Sequence, residues 1–350
     1  MTTPLLIVII PTWNEQETLP RILQQLHQQV GVTLEILIAD GGSGDDTQKI
    51  AQNAGVRFIT APRGRGAQMN AAANLTTGEN LLFLHADSDF GNDPHLLSRA
   101  FSFYRATAEK SCAGHFPLNF VDQPTGYQWL FRFLEKKSTT NRPECIHGDQ
   151  GLLISRAFFQ QLGGFSEDLP FMEDQHLAIR IAQQGRWITL PGKLATSARR
   201  FRREGVTQRM LLNALIMTSF HSDFAEFLHQ TPTLYRSQDI TRPLQLTTFF
   251  QLFCKLDQKA NLKTRWNRWL KIGRLARQSL WQIFLLLGLP VCQSSKPQLT
   301  FEKFVWYDLL FMGFAWSGFM LIRLWYALWE KILVNACIKS YNQFLASFFI

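Results

Sequence analysis

Asp87 and Asp89 follow closely on four apolar residues, Leu81-Leu82-Phe83-Leu84, with His85 at the junction. The apolar run reads as a buried strand, and the switch to a histidine and two acids marks its carboxyl end. In an open α/β sheet, ligands sit outside the carboxyl ends of the strands. Carboxylates there act on something cationic, and a hard divalent cation carrying a phosphorylated ligand takes oxygen donors. Asp87 is the best single metal ligand, with His85 and Asp89 as helpers. The competing reading is a cap for the helix announced by Asn92-Asp93-Pro94.

Six further clusters invite chemistry. In Pro11-Thr12-Trp13-Asn14-Glu15, short polar side chains and a glutamate suit a base and ribose, or else cap a helix. In Asp40-Gly41-Gly42-Ser43-Gly44-Asp45-Asp46-Thr47, the glycines permit close backbone approach to a ligand and Asp40 offers an acceptor; a plain turn competes. Arg63-Gly64-Arg65-Gly66-Ala67-Gln68-Met69-Asn70 opens a helix, where backbone amides and the dipole favour phosphate; a solvated basic loop competes. Glu173-Asp174 begins another helix as dipole partners or as a general base beside an acceptor hydroxyl. His147, Asp149 and Gln150, in Cys145-Ile146-His147-Gly148-Asp149-Gln150-Gly151, add polar groups to that half. Arg200, within Arg199-Arg200-Phe201-Arg202-Arg203, offers a cation for a leaving diphosphate, or belongs to a basic surface run.

The elements that must position these groups are legible from periodicity. Apolar runs at 5–10, 34–39, 56–60 and 81–84 are separated by helical patterns at 18–30, 46–54 and 66–75. That alternation predicts βαβ units and a mostly parallel sheet with flanking helices. It places 12–15, 40–46, 63–66 and 85–89 together along one sheet edge. Residues 116–230 are less regular, with strands predicted at 151–155 and 187–190 and helices at 173–184 and 210–220. The prolines and polar residues of 231–242 suggest a boundary, dividing the chain into 1–235 and a helical 236–350.

The chain has 350 residues, and its net charge of +9 is uneven. Residues 231–350 hold 15 Lys and Arg against 5 Asp and Glu, so the excess lies in the tail. Five widely spaced cysteines without a C-x-x-C pair argue against a disulfide framework or zinc site and fit a reducing cytosol. Residues 1–10 have no basic n-region and read as a strand, not a secretory signal. Lys255 to Arg277 carries eight basic residues and one acid. A wheel puts Leu262, Trp266, Trp269, Ile272, Ala276 and Leu280 on one face and Arg268, Lys271 and Arg274 opposite. That pattern suits an anionic membrane surface, expected here as peripheral attachment to the cytoplasmic face. The apolar segments 281–292 and 304–322 favour lipid over nucleic acid, although Asp308 is costly in a span. A helical subdomain packed on the rest is the plain alternative.

Taken in order, these motifs resemble the family 2 glycosyltransferases, inverting enzymes with a GT-A fold. The resemblance rests on Ile10-Pro11-Thr12-Trp13-Asn14-Glu15, Ala39 to Thr47, Leu84-His85-Ala86-Asp87-Ser88 and Met172-Glu173-Asp174. More narrowly the chain looks like the bacterial subgroup named for arsenosugar biosynthesis, through Gly64 to Asn70, Gly148-Asp149-Gln150-Gly151 and Arg199-Arg200-Phe201. It covers about 4–235. The resemblance implies a nucleotide-sugar donor lined by Pro11, Thr12 and Glu15, with Asp40 near the base. Arg65, with Gly66 and Asn70 in its loop and Arg200 further on, would meet the diphosphate. Asp87 would hold Mn²⁺ or Mg²⁺, and Asp174, with Glu173 beside it, would deprotonate the acceptor. His147, Asp149 and Gln150 would lie on the acceptor side, where a lipid or small hydrophobic acceptor would make sense of the tail. Two positions depart from the usual pattern, since many relatives carry acids where Gly41 and His85 stand. The alternatives are a nucleotidyltransferase of related fold and a non-catalytic, membrane-bound nucleotide-sugar scaffold.

Overall fold

A computed structural model describes residues 5–107, 109–168, 170–238, 243–288, 311–325 and 328. Its strands are β1 (Leu5–Thr12), β2 (Thr33–Asp40), β3 (Arg57–Thr60), β4 (Asn80–Phe83), β5 (Cys112–His115), β6 (Leu118–Val121), β7 (Leu152–Ser155), β8 (Arg186–Thr189) and β9 (Leu194–Ser197). Seven form one sheet in the order β3-β2-β1-β4-β7-β5-β8, and β6 pairs with β9. β1 to β4 run parallel, as the alternation of strand and helix signals predicts. β7 runs antiparallel to both its neighbours, β4 and β5. The architecture is α/β, a mostly parallel sheet with flanking helices as the GT-A resemblance implies, followed by a helical region.

The sheet is buried on both faces, which is why its central strands read as continuous apolar runs and not as an alternation. Leu6, Val8 and Ile10 of β1 point into one core layer with Leu82, Ile36 and Ile38. Ile7 and Ile9 point into the other with Leu37, Leu81 and Phe83. Helices α1 (Leu19–His27) and α4 (Leu96–Thr107) cover the first layer; α3 (Arg65–Asn74), α6 (Arg156–Gln161) and α7 (Glu173–Gln184) cover the second. Burying each such aliphatic side chain contributes about 1.5–3 kcal/mol. Helix α2 (Thr47–Asn53) returns the chain from β2 to β3, and α5 (Gln128–Ser138) follows β6.

Two compact units share the chain, one mainly Met1–Arg199 and the other mainly Arg200–Trp281. The division falls in α8 (Arg199–Glu204), while 231–236, the described start of the expected linker, belongs to α10 (Ala225–Arg236), which keeps Pro232 inside. The second unit packs α9 (Val206–His221), α10, α11 (Leu246–Lys259) and α12 (Leu262–Gln278) around Phe224, Phe227, Phe249 and Phe253. The basic stretch is broken at Ala260, where Asn261 caps α12 by accepting from the Thr264 N–H at 2.8 Å.

The buried face of α12 differs from the predicted one. Trp269 and Ile272 are buried, but so are Arg268 and Arg277, while Leu262 is 80% and Trp266 53% exposed. Arg268 turns inward because Asp257 waits there, pairing with its guanidinium and accepting from the Trp269 indole at 3.3 Å. The same guanidinium lies 3.5 Å over the Phe224 ring. Helix α13 (Trp281–Leu286) starts the 281–292 segment and a turn follows at 287–288, while 311–322 of the 304–322 segment is helical; 289–292 and 304–310 lie outside the described residues. Among the described residues no helix is long and apolar enough to cross a membrane.

Candidate active site

Because β1, β2, β3 and β4 are parallel, their carboxyl ends bring residues 12–16, 40–47, 61–66 and 85–89 to one edge. The reversal of β7 adds a fifth segment. Phe83 at the end of β4 pairs with Leu152 at the start of β7, so residues 147–151 approach the sheet beside 84–87. Gly151 makes that approach with φ +65, its α-carbon facing Leu84.

The first two loops are laced to each other. Asp40, 4% exposed, accepts from the Thr12 hydroxyl at 2.9 Å, the Ser43 hydroxyl at 2.5 Å and the Gly42 and Ser43 amides at 2.9 and 2.7 Å. The Asn14 backbone N–H donates to Ser43 Oγ, and its side-chain Oδ1 accepts from the Gly44 N–H. Glu15 donates its amide to Thr47 and accepts from the Thr18 hydroxyl at 2.5 Å. Pro11 is buried at the end of β1, opposite Ala39. Gln68 closes the assembly from α3. Its amide donates at 2.7 Å to both the Thr12 and the Ala39 carbonyls, so it ties the tips of β1 and β2 together. Nothing in the residue types near Gln68 distinguishes it; only its placement on α3 under both strand tips does.

The loop before α3 supplies cations. Arg63 stacks 3.6 Å over the ring of Trp13. Arg65 Nε pairs with Glu173 Oε1 at 2.8 Å, yet the Arg65 side chain stays 45% exposed and able to meet a ligand. Burial works against the Arg65 charge, but the carboxylates of Glu173, Asp174, Asp87 and Asp149 outweigh it and raise its pKa. Gly66 and Asn70 have packing roles. A Cβ on Gly66 would lie 2.7 Å from the Ser166 carbonyl oxygen. The Asn70 amide donates to the Phe165 carbonyl at 3.0 Å and to Glu167 at 2.7 Å.

At the end of β4, the Ser88 amide donates to the His85 carbonyl while Ser88 Oγ accepts from the His85 amide, a tight turn that leaves Asp87 exposed. Asp89 is not brought to Asp87's task. Its oxygens are taken by Arg21 at 3.1 Å, Gln25 at 2.7 Å and the Gly91 amide at 2.8 Å. The His85 ring lies against Gly148, where a Cβ would fall 2.5 Å from Nε2. Among the described residues no three His, Cys, Asp or Glu side chains group as a metal cage.

The acceptor-side acids sit on the first turn of α7. Met172 immediately before them has φ +74, an unfavourable conformation for a residue with a Cβ, and such strain gathers at functional sites. Glu173 is 4% exposed and bonded to Arg65; burial raises its pKa against that pull. Asp174 accepts from the Gly148 and Gln175 amides, both at 2.8 Å. Burial pushes Asp174 up, but Arg65, His147 and these two donors prevail and hold it below its ordinary value. Burial lowers the pKa of His147 against the pull of the Asp174 charge. The Gln175 amide donates to His147 Nδ1 at 3.0 Å and also to the Ile146 carbonyl, which leaves the imidazole proton on Nε2. Asp149 is pushed up to about 7 by burial and by the charges of Asp174 and Asp87. Its Oδ1 is sealed from solvent and has no hydrogen-bond partner among the described residues.

Gln150 faces inward, between His115 Nδ1 at 3.0 Å and the Cys145 carbonyl at 2.5 Å, so it shapes the turn from behind. Arg200 lies on α8 in the second unit. Met172 and Gln175 carry no sequence signal for these roles beyond flanking the acid pair.

Residues 7–162 match the family model described as Glycosyl transferase family 2. The chain is 28% identical over 187 residues to a "PGL/p-HBAD biosynthesis glycosyltransferase" of Mycobacterium tuberculosis (strain ATCC 25177 / H37Ra), covering 51% of this chain and 70% of that protein. It is 29% identical over 153 residues to the "GalNAc(5)-diNAcBac-PP-undecaprenol beta-1,3-glucosyltransferase" of Campylobacter jejuni, covering 41% and 48%. Among solved structures, S. aureus TarS 1-349 in complex with UDP aligns with a TM-score of 0.48 and 15% identity, covering 80% of this chain and 86% of that one.

Proposed function

We propose that this chain, a glycosyltransferase with a family 2 domain over residues 7–162, transfers a sugar with inversion from a nucleoside diphosphate sugar to an acceptor hydroxyl, with Asp174 as general base. The observation that carries this reading is the environment of Asp174. Two backbone amides and the Arg65 guanidinium keep a part-buried carboxylate ionised beside the strand ends that form the donor edge. A base must be deprotonated and aimed before the acceptor arrives. Asp174 accepts the hydroxyl proton as that oxygen bonds to the anomeric carbon, and the bond to the nucleoside diphosphate breaks. Arg65 meets the negative charge that develops on the departing diphosphate. Glu173 does not act as the base here; it fixes the Arg65 guanidinium through their 2.8 Å pair. On the donor side, Thr12, Glu15 and Asp40 shape the nucleotide edge, with Asp40 acting through the loop that it ties.

The residues fit a divalent cation. The charges of four carboxylates, Asp87, Asp149, Glu173 and Asp174, act on one guanidinium, that of Arg65, and the Asp87 side chain is exposed. Asp87 would hold Mn²⁺ or Mg²⁺, which when bound neutralises diphosphate charge. Few protein ligands suit a cation whose remaining positions are filled by phosphate oxygens and water. The resemblance to the arsenosugar-type subgroup in 64–70 and 148–151 supports a placement near that group.

For the second unit, the reading is peripheral attachment to an anionic membrane on the cytoplasmic face, with a lipid-linked or small hydrophobic acceptor. What supports it is Leu262 and Trp266 exposed on basic α12, and a relative named for an undecaprenol-linked substrate. Cosedimentation with anionic liposomes checks it; equal binding by Trp266→Ala/Leu262→Ser and the unmodified chain removes α12 from the surface.

The central test is nucleoside diphosphate release from a panel of UDP-, GDP- and dTDP-sugars with Mn²⁺. Asp87→Ala and Asp174→Asn are expected to abolish turnover. Undiminished release by both variants would end the assignment.

A further inference from the structure

We propose that Asp149 is the second carboxylate of the divalent-cation site, contributed by the turn before β7 and not by the strand end that carries Asp87. This rests on the metal reading above. The geometry begins with strand direction. Antiparallel pairing of Phe83 with Leu152 lays the turn 147–151 alongside 84–87. The contact is close: Gly148 lies against the His85 ring with no room for a Cβ, and Gly151 lies against Leu84. Thus His85, standing where many relatives carry an acid, works as the spacer on which the turn rests, and the turn brings its own acid.

Asp149 is otherwise unexplained. Its Oδ1 is sealed from solvent without a partner, an arrangement that costs free energy unless something cationic meets it. Its neighbours by charge are Asp87 and Asp174, both repulsive, and the one opposing charge, Arg65, is already bound to Glu173. Asp40, by contrast, is saturated by four donors, and Asp89 by three. Two carboxylates, completed by phosphate oxygens and water, suffice for Mg²⁺ or Mn²⁺.

The test is Mn²⁺ binding to the full chain, read from the free-ion EPR signal with Mn²⁺ alone and with UDP or GDP added. Asp149→Asn is expected to weaken Mn²⁺ binding by about tenfold or more while keeping the wild-type circular dichroism spectrum, on the scale of losing a metal-site partner. The same affinity in Asp149→Asn and the wild-type chain, with loss in Asp87→Asn, overturns the inference and leaves the proposed function standing. No Mn²⁺ binding by the wild-type chain, with or without nucleotide, overturns both. If Asp149→Asn fails to fold by circular dichroism, Asp149→Glu replaces it, with about a threefold change in affinity expected and an unchanged affinity overturning the inference.

Discussion

Asp40 and Asp149 both stand at the functional edge of one sheet, yet their surroundings are opposite. Asp40 is enclosed by four hydrogen-bond donors from its own loop and from β1, and with Gln68 it makes a pre-stiffened ledge. Asp149 has a sealed, unpartnered oxygen among like charges. A saturated carboxylate holds structure; a frustrated one waits for a ligand. The contrast separates the part of the edge that is complete within the chain from the part that needs substrate and cation.

The largest way to sharpen this contrast is on the reactive side. Asp174→Asn keeps the size but puts an NH₂ in place of one of the two acceptor oxygens, so one amide contact is lost along with the base; turnover should fall by about 10³-fold, with a melting-temperature loss of a few degrees at about 1 kcal/mol. Steady-state product release measures the first and calorimetry the second. On the complete side, Asp40→Ala leaves the Thr12, Gly42 and Ser43 donors unsatisfied and should cost about 3 kcal/mol in urea unfolding. A cost near zero would break the comparison.

Asp149→Asn should act in the opposite sense in metal-free protein. Between pH about 4 and about 7 the unfolded chain releases the Asp149 proton while the folded chain keeps it, so wild-type stability drains away as pH rises through that window. The asparagine variant lacks that loss. It should match wild type near pH 4 and exceed it by about 2 kcal/mol at pH 8, screening included. Smallest of all, Arg63→Ala removes a surface guanidinium from the Trp13 ring and should cost less than about 1 kcal/mol, measured by thermal melting.

β1, β2 and β4 were legible because their apolar runs are buried on both faces, and β3, half-buried at the sheet edge, because it follows the α2 pattern. β5 was not: Cys-Ala-Gly-His has no apolar pattern, and its burial comes from lying between β7 and β8. The direction of β7 has no local signature either, although it decides which residues of 147–155 reach the site. Asp87, Arg65 and Glu173-Asp174 were marked by residue type at strand and helix ends. The constructive roles of Gln68, Gln175 and Gly148 depend on contacts between residues far apart in sequence, which no local pattern records. In the second unit, a helical wheel places Arg268 opposite the apolar face, and a single buried acid on the preceding helix reverses that preference.

The Gln68 crossbar has a mechanical consequence. One amide group spends both its hydrogens on carbonyls at the ends of two adjacent strands, Thr12 of β1 and Ala39 of β2. Fraying at one tip therefore strips a bond from the other, so the two ends open as one cooperative unit. Hydrogen exchange at the Gly41 amide, which donates to Thr12, should report opening of the whole ledge.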